Sequence, residues 1–139
     1  METSDVRKRL TQTIERSRQR AAERRGRNEA ATKAFGPFLD VIAIPLMRQI
    51  ANVLRTEGYA FTVNTPGGSV RLASDRSADD FIELALDTSG DDPRVMLHAS
   101  RSWGRRVLES ERALGAPETL SEEDVLARLL NELEAFVEK

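Results

Sequence analysis

A chain of 139 residues with 40% hydrophobic, 32% charged and 5% aromatic side chains has room for one domain and can bury about two-thirds of its unfolded surface. Zero cysteines and one histidine exclude a disulfide scaffold, a thiol nucleophile, a cysteine-built zinc site and any paired-histidine metal motif. The net charge of −2 conceals a split: residues 1–34 hold ten basic and five acidic side chains, +5, and residues 35–139 hold eleven and eighteen, −7.

The first segment, 1–34, is a basic arm ahead of an acidic body. Its start, Met1-Glu-Thr-Ser-Asp, is polar and carries none of the apolar core of a signal peptide, so a cytoplasmic setting is expected. Residues 3–34 contain no proline and one glycine, Gly26, and read as a helix. The apolar content is thin: Val6, Leu10 and Ile14 are spaced by four, followed only by alanines. A narrow stripe on a charged helix suits a partner helix better than a core, and three full apolar heptads are absent. The Arg24-Arg25-Gly26-Arg27-Asn28 stretch is where fraying is expected, because glycine costs about 1 kcal/mol relative to alanine in a helix.

Composition changes at Phe35-Gly36-Pro37, and residues 35–54 are the most apolar stretch. Asp40, Arg48, Gln49 and Asn52 interrupt it and argue against a membrane span. A buried helix is expected, with Pro37 in its first turn and Pro45 either kinking it or starting a second one. Gly58 supplies a left-handed stop.

From Tyr59 to about Arg112 the period becomes two. Tyr59, Phe61 and Val63, then Val70 and Leu72, then Ile82, Leu84 and Leu86, then Val95, Leu97 and Ala99 alternate with more polar neighbours. Thr65-Pro66-Gly67-Gly68 has the residues of a type II turn, and Ser89-Gly90-Asp91-Asp92-Pro93 turns the chain again. This predicts an antiparallel meander of four or five strands, the fifth at 105–112 on an edge. Ser121 with Asp124 forms a capping box, Leu120 with Val125 a hydrophobic staple, and Leu126, Leu129, Leu130, Leu133, Phe136 and Val137 one apolar helical face. The fold class is therefore α+β: a long N-terminal helix, an apolar second helix, the meander and a C-terminal amphipathic helix, divided into the arm 1–34 and a single domain 35–139.

Candidate chemistry is sparse. His98 is the one imidazole, and Ser100 shares its strand face, but no G-x-S-x-G pattern accompanies them. The pairs Asp79-Asp80 and Asp91-Asp92 belong to turns, Glu122-Glu123-Asp124 to a helix cap, and none follows a calcium-loop pattern. Pro66-Gly67-Gly68-Ser69 lacks the ending of a phosphate loop. Arg101, Trp103, Arg105 and Arg106 form the most suggestive local cluster: the indole either stacks a base or an anionic group among guanidiniums, or anchors its loop on the core. On the arm, Leu10 and Ile14 supply an apolar contact and Arg24 and Arg25 a basic one.

The leading expectation is a non-enzymatic protein-interaction module that self-associates through its helices, most simply as a dimer, with a protein partner. A nucleic-acid-associated accessory protein using the basic helix comes second, weakened by interspersed acids and a pI near 5.6. A small enzyme using His98 comes third. No cofactor, metal or membrane contact is expected.

Overall fold

Nothing before Phe35 interrupts the helical pattern except Gly26, and the computed structural model, which describes residues 1–138, carries helix α1 unbroken from Thr3 to Phe38. Two expectations are corrected here. The Arg24–Asn28 stretch does not fray. Arg24 lies 3.6 Å from the Asp91 carboxylate and Arg27 lies 3.8 Å from Asp92, while the Arg27 Nε–H donates to the Asp91 carbonyl at 3.1 Å. The charges that weaken an isolated helix thus tie this one to the acidic turn. Pro37 also does not open a new helix; it lies inside α1. Phe35 and Phe38 on either side of it are buried with their rings stacked 5.9 Å apart. That anchorage offsets an internal proline's cost of about 3 kcal/mol.

A single π-helical turn, Leu39–Ala43, joins α1 to α2, Ile44–Thr56, which has Pro45 in its first turn. Pro45 has no N–H for the carbonyl of Val41, and its ring crowds that carbonyl. The wider turn just before it relieves the crowding, so this proline does start a second helical segment. On α2, Leu46, Met47, Ile50, Ala51 and Leu54 are buried. Gly58 then ends the helix at φ 92°, and the Tyr59 N–H reaches back to the Leu54 carbonyl at 2.8 Å. The helical run Thr3–Thr56 includes a window long and apolar enough to cross a membrane. In the fold, its Phe35, Phe38, Leu39, Ala43 and the five buried α2 residues pack into the core.

Five strands follow in sequential order: β1 Phe61–Asn64, β2 Val70–Ser74, β3 Phe81–Asp87, β4 Arg94–Trp103 and β5 Arg106–Gly115. All neighbours pair antiparallel, with one irregularity at Val95/Met96. The alternation places Phe61, Val70, Leu72, Ile82, Leu84, Val95, Leu97 and Ala99 on an inner face under the helices, all of them buried. The β1–β2 turn differs from the type II expectation by one residue. Gly67 (φ 56°) and Gly68 (φ 83°) occupy its centre, and the Ser69 N–H closes it on the Pro66 carbonyl at 3.0 Å. Two consecutive positive φ values give a type I′ turn, whose twist matches that of paired strands. β5 is an edge strand, and its residues 106–113 are exposed.

A short 3₁₀ turn, Pro117–Thr119, leads to α3, Glu122–Val137. The capping box is formed: the Asp124 N–H donates to Ser121 Oγ at 3.1 Å, and the Ser121 N–H donates to Asp124 Oδ2 at 3.1 Å. Val125, Leu129, Leu133 and Phe136 pack inward, and Phe136 meets Phe61 edge-on at 6.0 Å. The core is thus one sheet face covered by the end of α1, α2 and α3.

The cap makes acid sensitivity predictable. The backbone N–H of Ser121, then its side chain, hold the Asp124 carboxyl below its ordinary value, and the hydroxyl and N–H of Ser89, with Arg94 nearby, do the same for Asp87. A carboxyl lowered by folding is protonated first in the unfolded chain as pH falls. Stability from both is full above the ordinary carboxylate range and drains as pH drops through the lowered values. Thermal melts followed by circular dichroism should show Ser121→Ala costing about 1 kcal/mol at pH 7. The same variant should lose less than the parent between pH 5 and pH 3, these being roughly the limits of carboxylate titration.

Candidate functional site

The residues singled out in the sequence fall on two surfaces. Arg101 and Trp103 end β4, and Arg106 faces Trp103 across the β4–β5 ladder. Gly104 (φ 63°) and Arg105 make the two-residue turn between them. The Arg101 guanidinium sits 5.1 Å from the Trp103 ring centroid and donates to the Ala135 carbonyl near the end of α3 at 3.3 Å. Trp103 is 57% exposed, so the reading of its indole as an anchor on the core does not hold. Arg105 and Arg106 are exposed beside it. By the alternation of β4, Arg101 and Trp103 are in phase with the inner-face residues Val95, Leu97 and Ala99.

The other surface is the arm. Leu10 and Ile14 lie together on one side of α1, 57% and 40% exposed, with Val6 one turn earlier. Farther along the same face, Ala31, Phe35 and Phe38 are buried. The stripe is therefore the packed face of α1 extended beyond the body. Arg24 pairs with Asp91 in the turn that precedes β4, and Arg25 is exposed. Nine residue steps of β4 separate that turn from Trp103, about 30 Å. The fold does not bring the two candidate groups together.

His98 projects from the outer sheet face. Its ring meets Phe81 edge-on at 5.4 Å, and its Nε2 is 3.7 Å from the Glu109 carboxylate. The Arg71 guanidinium covers the same phenyl ring at 3.9 Å and donates to Glu83 Oε1 at 3.2 Å, which also accepts from Ser69 Oγ at 2.9 Å. Ser100 is buried, and among the described residues no hydrogen bond joins its hydroxyl to His98. Acyl transfer of the triad kind needs a nucleophile hydrogen-bonded to the imidazole, and no such contact to His98 occurs among the described residues. Among the described residues, no group of three or more His, Asp or Glu side chains is placed to hold a metal ion. Phe81 was missed in the sequence because it lies out of phase with Ile82, Leu84 and Leu86.

The feature that sequence patterning did not resolve is a groove between α2 and α3. It has a volume of about 480 Å³ and is lined by Leu46, Ile50 and Val53 on one side and by Leu126, Leu130 and Val137 on the other. Val53 is 64% and Leu130 51% exposed. Its charged lining residues are Glu122 and Glu134, with Gln49 also at the rim. One signal was available: α3 has six apolar residues on its face, more than the width that one sheet contact buries. No protein-family model matches this chain, and neither a curated protein nor a solved structure matches it.

Proposed function

We propose that this chain is a non-enzymatic protein-interaction module that self-associates through its helices. The observation that carries the reading is the α2–α3 groove. Both helices bury most of their apolar residues on the sheet, but Val53 of α2 and Leu130 and Val137 of α3 remain in contact with water along the groove. Exposed apolar side chains grouped in a groove in this way are the material from which interfaces are built. The exposed Leu10–Ile14 stripe is a second surface of the same sort.

Light scattering at micromolar concentration should give twice the 15.5 kDa chain mass, and a monomer mass at every concentration overturns the reading. His98→Ala should leave the measured mass and the melting cooperativity unchanged, since His98 lies on the sheet face opposite the helices.

The nucleic-acid alternative draws on one observation, the exposed Trp103 beside Arg101, Arg105 and Arg106. On the arm, Arg24 and Arg27 are already occupied by Asp91 and Asp92, which leaves fewer cations for phosphates. A gel shift with DNA or RNA that falls steeply as salt rises supports this alternative; absence of any shift at low salt removes it.

A further inference from the structure

We propose that the occupant of the α2–α3 groove is the N-terminal arm of a second copy of this chain. This rests on the self-association reading and names its contact. The arm cannot reach the groove of its own body. The helical run is continuous from Thr3 to Thr56, so about 48 Å of helix separates Ile14 from Leu46 at 1.5 Å per residue. Phe35 and Phe38 fix the root of α1 in the core, and Arg24 and Arg27 hold the next turns against Asp91 and Asp92. The free part of the helix therefore projects away, carrying its stripe to a neighbour.

Size and charge match. The stripe from Val6 to Ile14 is about 12 Å long, and the groove wall from Leu46 to Val53 about 10 Å. A helix laid between two helices at the usual 8–10 Å spacing covers Val53 and Leu130 together. Residues 3–20 hold six basic and two acidic side chains, a net +4; α3 holds five acidic and one basic, a net −4. Arg7 and Arg18 flank Leu10 and Ile14 at helical spacings of three and four, opposite a rim whose charged members are Glu122 and Glu134. Two copies exchanging arms in this way close a two-fold dimer with two equal contacts.

The chain has no cysteine, so single-cysteine variants report contacts cleanly. Leu10→Cys and Val53→Cys proteins of distinguishable mass, both substituted at exposed positions, would be mixed and treated with a short bismaleimide. The Leu10–Val53 product should exceed that between Leu10→Cys and Glu111→Cys, on β5, by about tenfold or more, as proximity raises effective concentration. Glu122→Lys/Glu134→Lys should weaken the dimer by roughly tenfold, while the dilute monomer still melts in one cooperative transition. A monomer at all concentrations overturns both this contact and the self-association reading. A dimer that cross-links chiefly Leu10 to Leu10 or Val53 to Val53, or one that ignores the charge reversal, overturns the arm-in-groove contact and leaves self-association standing.

Discussion

Leu129→Ala should lower the unfolding free energy by about 3 kcal/mol, because Leu129 is fully buried and its truncation removes transfer energy and leaves a cavity. In a domain of this size that is a drop of roughly 10 °C in melting temperature. Its neighbour gives the opposite pattern. Leu130 is half exposed on the groove wall, so Leu130→Asp should change the melting temperature of the dilute monomer by only a degree or two, within the range of surface substitutions. It should nevertheless reduce association by about a hundredfold, as expected for an anchor at the centre of an apolar contact. Calorimetry and sedimentation equilibrium on the two variants separate fold from assembly at adjacent positions. Equal effects of both substitutions on stability would remove the distinction.

Cutting the arm at two places gives the second large effect. Removal of residues 1–22 takes away the exposed stripe and leaves Arg24, Arg27 and Ala31 in place, so the remaining chain should melt cooperatively. Its melting temperature should no longer depend on protein concentration, since linkage to a dimer is lost. Removal of residues 1–34 deletes in addition the buried Ala31 and both guanidinium contacts to the Asp91-Asp92 turn. The exposed pairs contribute at most about 1 kcal/mol each, and the second truncation should fold but melt roughly 5–10 °C lower than the first. A 1–22 deletion that unfolds would show the outer arm to be part of the domain.

The sequence pattern carried most of the architecture where local chemistry and tertiary placement agree. The strands β1 to β4 alternate cleanly because one face is wet, and α3 announces itself through Ser121, Asp124 and a leucine-rich stripe. The misreadings share a cause. Pro37 looked like a helix start because its missing N–H is harmless there, but burial of Phe35 and Phe38 outweighs the local cost. The type I′ turn at Gly67-Gly68 was displaced by one residue because Pro66 favours an earlier turn position equally well. For Trp103, beside the Gly104 turn, a stacking indole and a loop anchor were equally open from local sequence, and its 57% exposure depends on tertiary placement that no local pattern contains. The groove depends on the lateral spacing of two helices on the sheet, which no single-helix periodicity contains. Of the candidate residues, Leu10 and Ile14 were legible because an apolar stripe among charges has no local explanation.

The long edge of the sheet bears on how copies of this protein avoid sticking to each other in the wrong way. A ten-residue strand with a free edge, β5, is a template for antiparallel addition of the same strand from another molecule. Its sequence frustrates that growth. In a two-fold sheet-to-sheet pairing, the register that sets residue 110 against itself opposes Glu109 to Glu111, and shifts of two residues either way oppose Glu109 to Glu109 or Glu111 to Glu111. Every central alignment thus places carboxylates directly across from carboxylates, an arrangement that destabilises neighbouring strands. At the other edge β1 offers only four residues, too few to nucleate a stable ribbon. Fibre-like growth is closed off at both borders of the sheet, and dilution or mild heating should leave the protein soluble where an uncharged edge would precipitate.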